Sequence, residues 1–224
     1  MERIAHRGAK REVPENSIPA FRRAFERGAD AIELDVHATR DGVVVVHHDP
    51  SLRPGPGQAK RAIAALTWDE LRRIELAPDV GVPRLEDVLA MTPPAKTVYV
   101  EIKGEQIESA VLAAIAGSRV PCAVHSFDHA AIATCRDIAP DVPRGLLFEH
   151  STVDAMIAAL ATAGARDLWP RWDGIDAALV RRAHDVGARL IAWTVNDLAA
   201  ARALAKMGVD GLCTDDVRLL DALR

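Results

Sequence analysis

Ala31-Ile32-Glu33-Leu34-Asp35-Val36 is the stretch that decides how the remaining sequence is read. Its short β-branched run predicts a strand, and alternate residues of a strand point to opposite faces. Ile32, Leu34 and Val36 take one face, suited to packing beneath helices. Glu33 and Asp35 take the other, near the strand's C-terminal end. Two buried carboxylates side by side are costly unless something compensates their charge. Either Arg or Lys partners pair with them, or a divalent cation such as Mg²⁺ or Ca²⁺, which prefers carboxylate oxygens, lies between them.

Outward from this strand the pattern repeats from end to end of the 224 residues. Strands are predicted at Arg3–His6, 31–36, Val98–Ile102, Cys122–Ser126, Arg144–Phe148, Asp167–Pro170, Leu190–Thr194 and Gly211–Thr214. Amphipathic helices are predicted at Ser17–Arg27, Trp68–Leu76, Leu85–Met91, Ile107–Ala116, Ala130–Ile138, Val153–Ala163, Ala177–Val186 and Leu198–Lys206, with a closing helix at Val217–Leu223. Gly28, Gly117, Gly164, Gly187 and Gly208 stand where helices should stop. Eight strands alternating with helices predict an α/β fold, a (β/α)8 TIM barrel formed by a single domain over residues 1–224. An open doubly wound sheet would want a glycine-rich first turn, and neither GxGxxG nor GxxxxGK[ST] occurs. The long interval from Asp49 to about Lys96, with Pro54-Gly55-Pro56-Gly57, reads as an enlarged loop after strand 2, on the face where barrel enzymes carry their sites.

The next predicted strand strengthens the cation reading. In Val98-Tyr99-Val100-Glu101-Ile102-Lys103, Glu101 and Lys103 share a face, adding a third inward carboxylate and a cation beside it. Lys103, a point charge, suits a phosphate oxygen. The alternative is an internal Glu101–Lys103 pair. Of eight histidines, His6 closes the first strand and His48 follows the Val43–Val46 run. Two histidines at one barrel mouth offer an acid and a base near neutral pH. His125 could also reach the mouth. His47 is out of phase with His48, and His129, His150 and His184 read as surface residues. Aromatics are scarce, four Trp, one Tyr and four Phe, so those at strand ends stand out. Trp193 and Phe127 read as walls of a small-molecule pocket. Trp169 reads equally well as wall or as hydrophobic plug.

Composition narrows the function. With 49% hydrophobic and 27% charged residues the chain is an ordinary globular protein rather than a disordered one. A net charge of −4 with no basic run argues against nucleic acid as partner. No apolar run is long enough for stable membrane insertion. Three widely spaced cysteines, Cys122, Cys135 and Cys213, and a start without an apolar leader segment predict a reduced, cytoplasmic protein.

His6-Arg7-Gly8, Pro14-Glu15-Asn16-Ser17, 28–36, Thr39-Arg40-Asp41-Gly42 and Val46-His47-His48-Asp49 follow one another in order. After them come Glu101-Ile102-Lys103, Ser126-Phe127, Trp193-Thr194-Val195-Asn196, Gly208-Val209-Asp210-Gly211 and Thr214-Asp215. This ordered set resembles the glycerophosphodiester phosphodiesterase family along essentially the whole chain. The resemblance implies a TIM barrel that hydrolyses glycerophosphodiesters, small molecules, to glycerol 3-phosphate and an alcohol with the help of a divalent metal ion. It implies Glu33, Asp35 and Glu101 as metal ligands and His6 and His48 as the acid/base pair. Arg7 and Lys103 would hold the phosphate, and Trp193 would wall the glycerol side. It further implies that the neighbouring glycerol hydroxyl is the nucleophile, giving a cyclic phosphate that water opens. The sequence departs from the family pattern in three places. Ser17 stands where Thr is usual, the loop around Arg53 is short, and Asp216-Val217 follows Thr214-Asp215 where a proline is usual. The other readings of such a site are a barrel phospholipase of the sphingomyelinase D type and a phosphate-binding barrel without catalysis.

Overall fold

The computed structural model describes residues 1–55 and 57–222; Pro56 of the turn-rich segment and Leu223, the predicted end of the last helix, lie outside the described residues. Eight parallel strands among the described residues close into a barrel: β1 (Glu2–His6), β2 (Ala31–Ala38), β3 (Thr97–Ile102), β4 (Cys122–Ser126), β5 (Arg144–Phe148), β6 (Asp167–Pro170), β7 (Arg189–Ala192) and β8 (Gly211–Thr214). Each pairs with its neighbours in sequence order, and β1 pairs with both β2 and β8, which shuts the barrel. This is the predicted (β/α)8 TIM barrel.

Helices α1 (Ile18–Glu26), α2 (Trp68–Leu71), α3 (Leu85–Met91), α4 (Glu108–Ala116), α5 (His129–Ile138), α6 (Val153–Ala163), α7 (Ala177–Asp185), α8 (Leu198–Met207) and α9 (Val217–Asp221) follow in order. Most start from a side-chain cap. Ser17, Thr152, Asp128, Asp176, Asp197 and Asp216 each accept a bond from a backbone N–H of the first turn of the helix they precede. The main apolar core lies between strands and helices, where the outward strand residues Ile32, Leu34 and Val36 are fully buried. A second, smaller core fills the barrel interior with Ile4, Tyr99, Leu147, Trp169, Ile191 and Cys213.

Two elements differ from the sequence reading. The helix predicted at Trp68–Leu76 stops at Leu71, because Glu75–Ala77 pairs antiparallel with Val80–Gly81. The strand predicted to run to Thr194 ends at Ala192, because Trp193 leaves β8 and turns to β6, donating its N–H to the Pro170 carbonyl. The excursion after β2 begins earlier than Asp49. Val44–Val46 folds back antiparallel on the end of β2, which runs on to Ala38. Beyond it, Ser51–Leu52 pairs with Arg61–Ala62, and Val45, Leu52, Ile63, Leu66, Leu71, Ile74 and Val82 form a small core of their own. The excursion is thus a packed unit standing on the barrel mouth.

Candidate active site

The carboxylates meet at the C-terminal end of the barrel. Register carries them there: His6 lies beside Glu33, Asp35 beside Glu101, and Glu101 beside His125 on successive strands. All four residues from Glu33 to His125 are buried, Asp35 fully. A cavity of about 150 Å³ opens above them, lined by His6, Arg7, Glu33, His48, Glu101 and Lys103 on its polar side, with Phe127, Trp169 and Trp193 among the apolar residues. Every residue that the sequence reading placed in the site, except Asp35 behind it, faces this one cavity.

The three carboxylates are not equivalent. Asp35 is neutralised: the Asn16 amide donates to its Oδ2 at 2.8 Å, Arg7 Nε stands 3.0 Å from the same oxygen, and Lys103 Nζ is 3.7 Å from Oδ1. Burial alone would raise the Asp35 carboxyl, but Arg7, the Asn16 hydrogen bond and Lys103 outweigh it and hold it below its ordinary value. Glu33, which accepts from the Arg7 N–H at 3.3 Å, and Glu101, with Lys103 at 3.3 Å, have less relief. Burial, followed by repulsion from Asp35, pushes each up to about 7. His125 lies beside them, its Nε2 3.6 Å from Glu33 Oε1, and burial drives it down to about 4, leaving a neutral imidazole.

Each mouth histidine is backed by a carboxylate. His6 Nδ1 is 2.5 Å from Asp215 Oδ1, and its Nε2 is 3.8 Å from Glu33 Oε2. Burial opposes ionisation of Asp215, yet the hydrogen bond and charge of His6, with the Asn196 amide and Lys10, hold it well below the usual carboxylate range. His48 Nδ1 is 2.9 Å from Asp49 Oδ1, and the hydrogen bond to His48 lowers the Asp49 carboxyl. In both pairs the carboxylate fixes the ring by Nδ1, and Nε2 makes no hydrogen bond. The backbone of His48 is itself held, because His37 Nε2–H donates to its carbonyl at 3.1 Å and the His47 N–H donates to Asp35 O at 3.0 Å.

The turn after β1 shows why the chain needs its particular residues. Gly8 has φ +78°, and a Cβ there would stand 2.7 Å from the Ala20 backbone, so only glycine lets α1 approach the site. Asn16, at φ +53°, accepts the left-handed conformation that asparagine tolerates and so aims its amide at Asp35. On the opposite wall Gly145 leaves room for the Trp169 ring and His125, which a Cβ would meet at 2.8 and 3.2 Å. Phe127 meets Trp193 edge to face at 5.3 Å, and Trp193 Nε1–H donates to the Trp169 carbonyl at 2.8 Å. Trp169 is buried against Tyr99 and His125, so it serves both as pocket floor and as interior core.

Asn16, Asp215 and the depth of His125 escaped the sequence reading. Asp215 carried two signals, its place directly after β8 and its place in the Thr214-Asp215 pair of the family pattern. His129, read as a surface residue, is half-buried, with Nε2 donating to the Leu147 carbonyl at 3.1 Å.

A family comparison matches this whole assembly. The model of the Glycerophosphoryl diester phosphodiesterase family matches residues 6–219, from the first site histidine to beyond Asp215. The chain belongs to that family. The glycerophosphodiester phosphodiesterase of Caldanaerobacter subterraneus subsp. tengcongensis is 33% identical over 97% of this chain and 95% of its own length. Among solved structures, the glycerophosphodiester phosphodiesterase of Thermotoga maritima superposes with a TM-score of 0.87 at 26% identity, over 99% of this chain and 97% of that one. A phosphodiesterase of Oleispira antarctica, solved with its product sn-glycerol-3-phosphate, shares the fold with a TM-score of 0.91 at 22% identity, over 100% and 96% of the two chains. These three relatives are phosphodiesterases by name. No helix among the described residues is long and apolar enough to cross a membrane.

Proposed function

We propose that this barrel hydrolyses glycerophosphodiesters to glycerol 3-phosphate and an alcohol, using a divalent metal ion and the histidine pair His6 and His48. The observation that carries the reading is the pairing at the mouth. Two histidines, each held by a carboxylate through Nδ1, border one cavity that opens above a cluster of three buried carboxylates.

The donor set fits a divalent ion. The contacts of Arg7 with Glu33 and of Lys103 with Glu101 do not offset the burial of these two carboxylates, and Asp35 Oδ1 is buried without a hydrogen-bond partner. Glu33, Asp35 and Glu101 would hold the ion, Mg²⁺ or Ca²⁺ by the chemistry of carboxylate oxygens, and it would supply positive charge to a phosphate oxygen and a glycerol hydroxyl. Arg7 and Lys103 would bind the phosphate from the same side. Lys103 holds Glu101 at 3.3 Å as well, so it stays placed whether or not substrate is present. Phe127 and Trp193 would exclude water and pack against the glycerol carbons.

The histidines move the protons. One Nε2 takes the proton of the attacking glycerol hydroxyl while that oxygen bonds to phosphorus. The other Nε2–H protonates the departing alcohol oxygen as its bond to phosphorus breaks. The roles reverse when water opens the resulting cyclic phosphate. Asp215 and Asp49 stabilise the imidazolium that each step creates. The chain would act as one barrel domain, in the cytoplasm, where its three free, buried cysteines stay reduced.

The test is release of glycerol 3-phosphate from glycerophosphocholine by chelated protein, with and without added Mg²⁺ or Ca²⁺. Turnover that depends on the ion supports the reading. Turnover unaffected by chelation, or none with any ion, rejects it.

A further inference from the structure

His125 is the group that the proposed reaction does not use. Its side chain is 1% exposed, and neither Nδ1 nor Nε2 has a hydrogen-bond partner. A buried imidazole with both nitrogens unsatisfied is unusual, because buried polar groups in folded proteins are nearly always bonded. The ring is also closely packed. It lies 4.4 Å, centroid to centroid, from Trp169 and 6.3 Å from Tyr99, with the bare Gly145 backbone behind it. The wall therefore holds Nε2 toward the carboxylates, 3.6 Å from Glu33 Oε1.

The spacing is that of ligands around one ion. Single donor atoms of Glu33, Glu101 and His125 all lie within 4.8 Å of one another. With metal–ligand bonds of roughly 2.0–2.3 Å, two ligands on one ion are separated by at most about twice that length. The three groups therefore stand close enough to close on one ion by side-chain movement. Asp35, by contrast, has one carboxylate oxygen occupied by Asn16 and Arg7 and only Oδ1 left. Register says the same: Glu101 and His125 are direct neighbours across β3 and β4.

We propose that His125 Nε2 is a ligand of the ion held by Glu33 and Glu101, making this a mixed nitrogen–oxygen site that selects imidazole-binding first-row divalent ions, Mn²⁺ to Zn²⁺, over Mg²⁺ and Ca²⁺. The proposal rests on the reading that the carboxylates hold a divalent ion, and it replaces the all-oxygen expectation of Mg²⁺ or Ca²⁺ with a different ion class. Oxygen donors suit Mg²⁺ and Ca²⁺, whereas an imidazole nitrogen shifts preference toward first-row transition ions. An imidazole packed beside the two carboxylates meets that requirement.

The experiment uses chelated full-length protein loaded with one equivalent of Mn²⁺. Pulsed EPR of the bound ion should show the ¹⁴N modulation of a directly coordinated imidazole. His6→Ala and His48→Ala should keep that modulation, and His125→Gln should lose it while still binding Mn²⁺ through the carboxylates. By equilibrium dialysis, His125→Gln should weaken Mn²⁺ and Co²⁺ on the order of 10–100-fold and Ca²⁺ far less. Bound Mn²⁺ without nitrogen modulation in the native protein overturns the proposal and leaves the carboxylate ion site standing. Nitrogen modulation that survives in His125→Gln overturns it as well, since another histidine is then the ligand. Equal weakening of Mn²⁺ and Ca²⁺ removes the selectivity claim. If native protein binds no Mn²⁺, Co²⁺, Mg²⁺ or Ca²⁺, the ion reading itself fails, and the proposal falls with it. The native spectrum decides the ligand question even if His125→Gln does not fold.

Discussion

The two ends of the barrel treat their charges in opposite ways. At the N-terminal end, Glu2 accepts from the Tyr99 hydroxyl and from Arg189, both at 2.6 Å, and Arg189 also donates to Tyr99 at 3.1 Å. Arg166 reaches Asp167 with two bonds of 2.8 and 2.6 Å, and Arg189 stands 3.6 Å from the same carboxylate. Each acid there has a guanidinium. At the C-terminal end, Glu33 and Glu101 are pushed up to about 7 and His125 is without a partner. Completed pairs seal the bottom, whereas the top holds unmet electrostatic demand, which is what an ion and a phosphate substrate would satisfy. In barrel enzymes the two faces divide in the same way, stability below and chemistry above.

The sharpest way to break this contrast is at the histidines. His6→Ala and His48→Ala should each lose on the order of 10²–10⁴-fold in kcat, the size of a general acid or base. Thermal melting should show both variants still folded, since neither ring belongs to an apolar core. The double variant should lose much less than the product of the single losses, because the two act as a unit. A p-nitrophenyl phosphodiester, whose leaving group needs little protonation, should restore the variant that lacks the acid and not the one that lacks the base. Near-native turnover of glycerophosphocholine by both single variants would sink the two-histidine scheme.

A smaller effect is expected one step behind the histidine. Asp215→Asn keeps the shape of the contact but removes the charge that fixes His6. Turnover should fall on the order of 10–100-fold, the usual size for a carboxylate that orients a histidine. Binding of divalent ions, measured by dialysis, should stay as in the native protein. A loss of ion affinity instead would place Asp215 in the ion site and not behind His6.

The bottom of the barrel should respond in the other currency. Asp167→Asn leaves Arg166 and Arg189 without their buried anion, and the cost should be about 1–3 kcal/mol of stability by chemical denaturation. The turnover number of the folded fraction should not change. A fall in kcat at unchanged stability would show that the two ends are coupled.

The mildest test varies pH alone. In the ion-free protein, Glu33 and Glu101 hold their protons up to about 7, against 4.5 for an ordinary glutamate. The folded state therefore binds protons more tightly than the unfolded one. Its stability advantage is full below about pH 4.5 and is lost as pH rises through about 7. Melting temperature should fall across that window, and a saturating divalent ion should restore it, by about 2.7 kcal/mol at a hundred times the Kd. A melting temperature that rises across the same window would mean that the two glutamates are already ionised and compensated.

What could be read from the sequence alone was what local periodicity controls. Alternation within 31–36 and 98–103 placed Glu33, Asp35, Glu101 and Lys103 on inward faces, because a strand's side chains have a period of two whatever surrounds it. Eight such strands between amphipathic helices sufficed for the barrel. Local signals misled where a short segment had competing options. The apolar spacing of Trp68–Leu76 suits a helix, yet Glu75–Ala77 gains more by pairing with Val80–Gly81 over the small core of the excursion. Tertiary structure alone decided which inward groups meet. Asp215 lies 209 residues from His6 and reaches it only because β8 closes on β1. Asn16 finds Asp35 only through the left-handed turn that Gly8 lets pack against α1. Whether each buried charge is compensated depends on barrel closure, because charges interact through space and not along the chain, and that is what left His125 without a hydrogen-bond partner beside Glu33 and Glu101, whose contacts with Arg7 and Lys103 do not offset their burial.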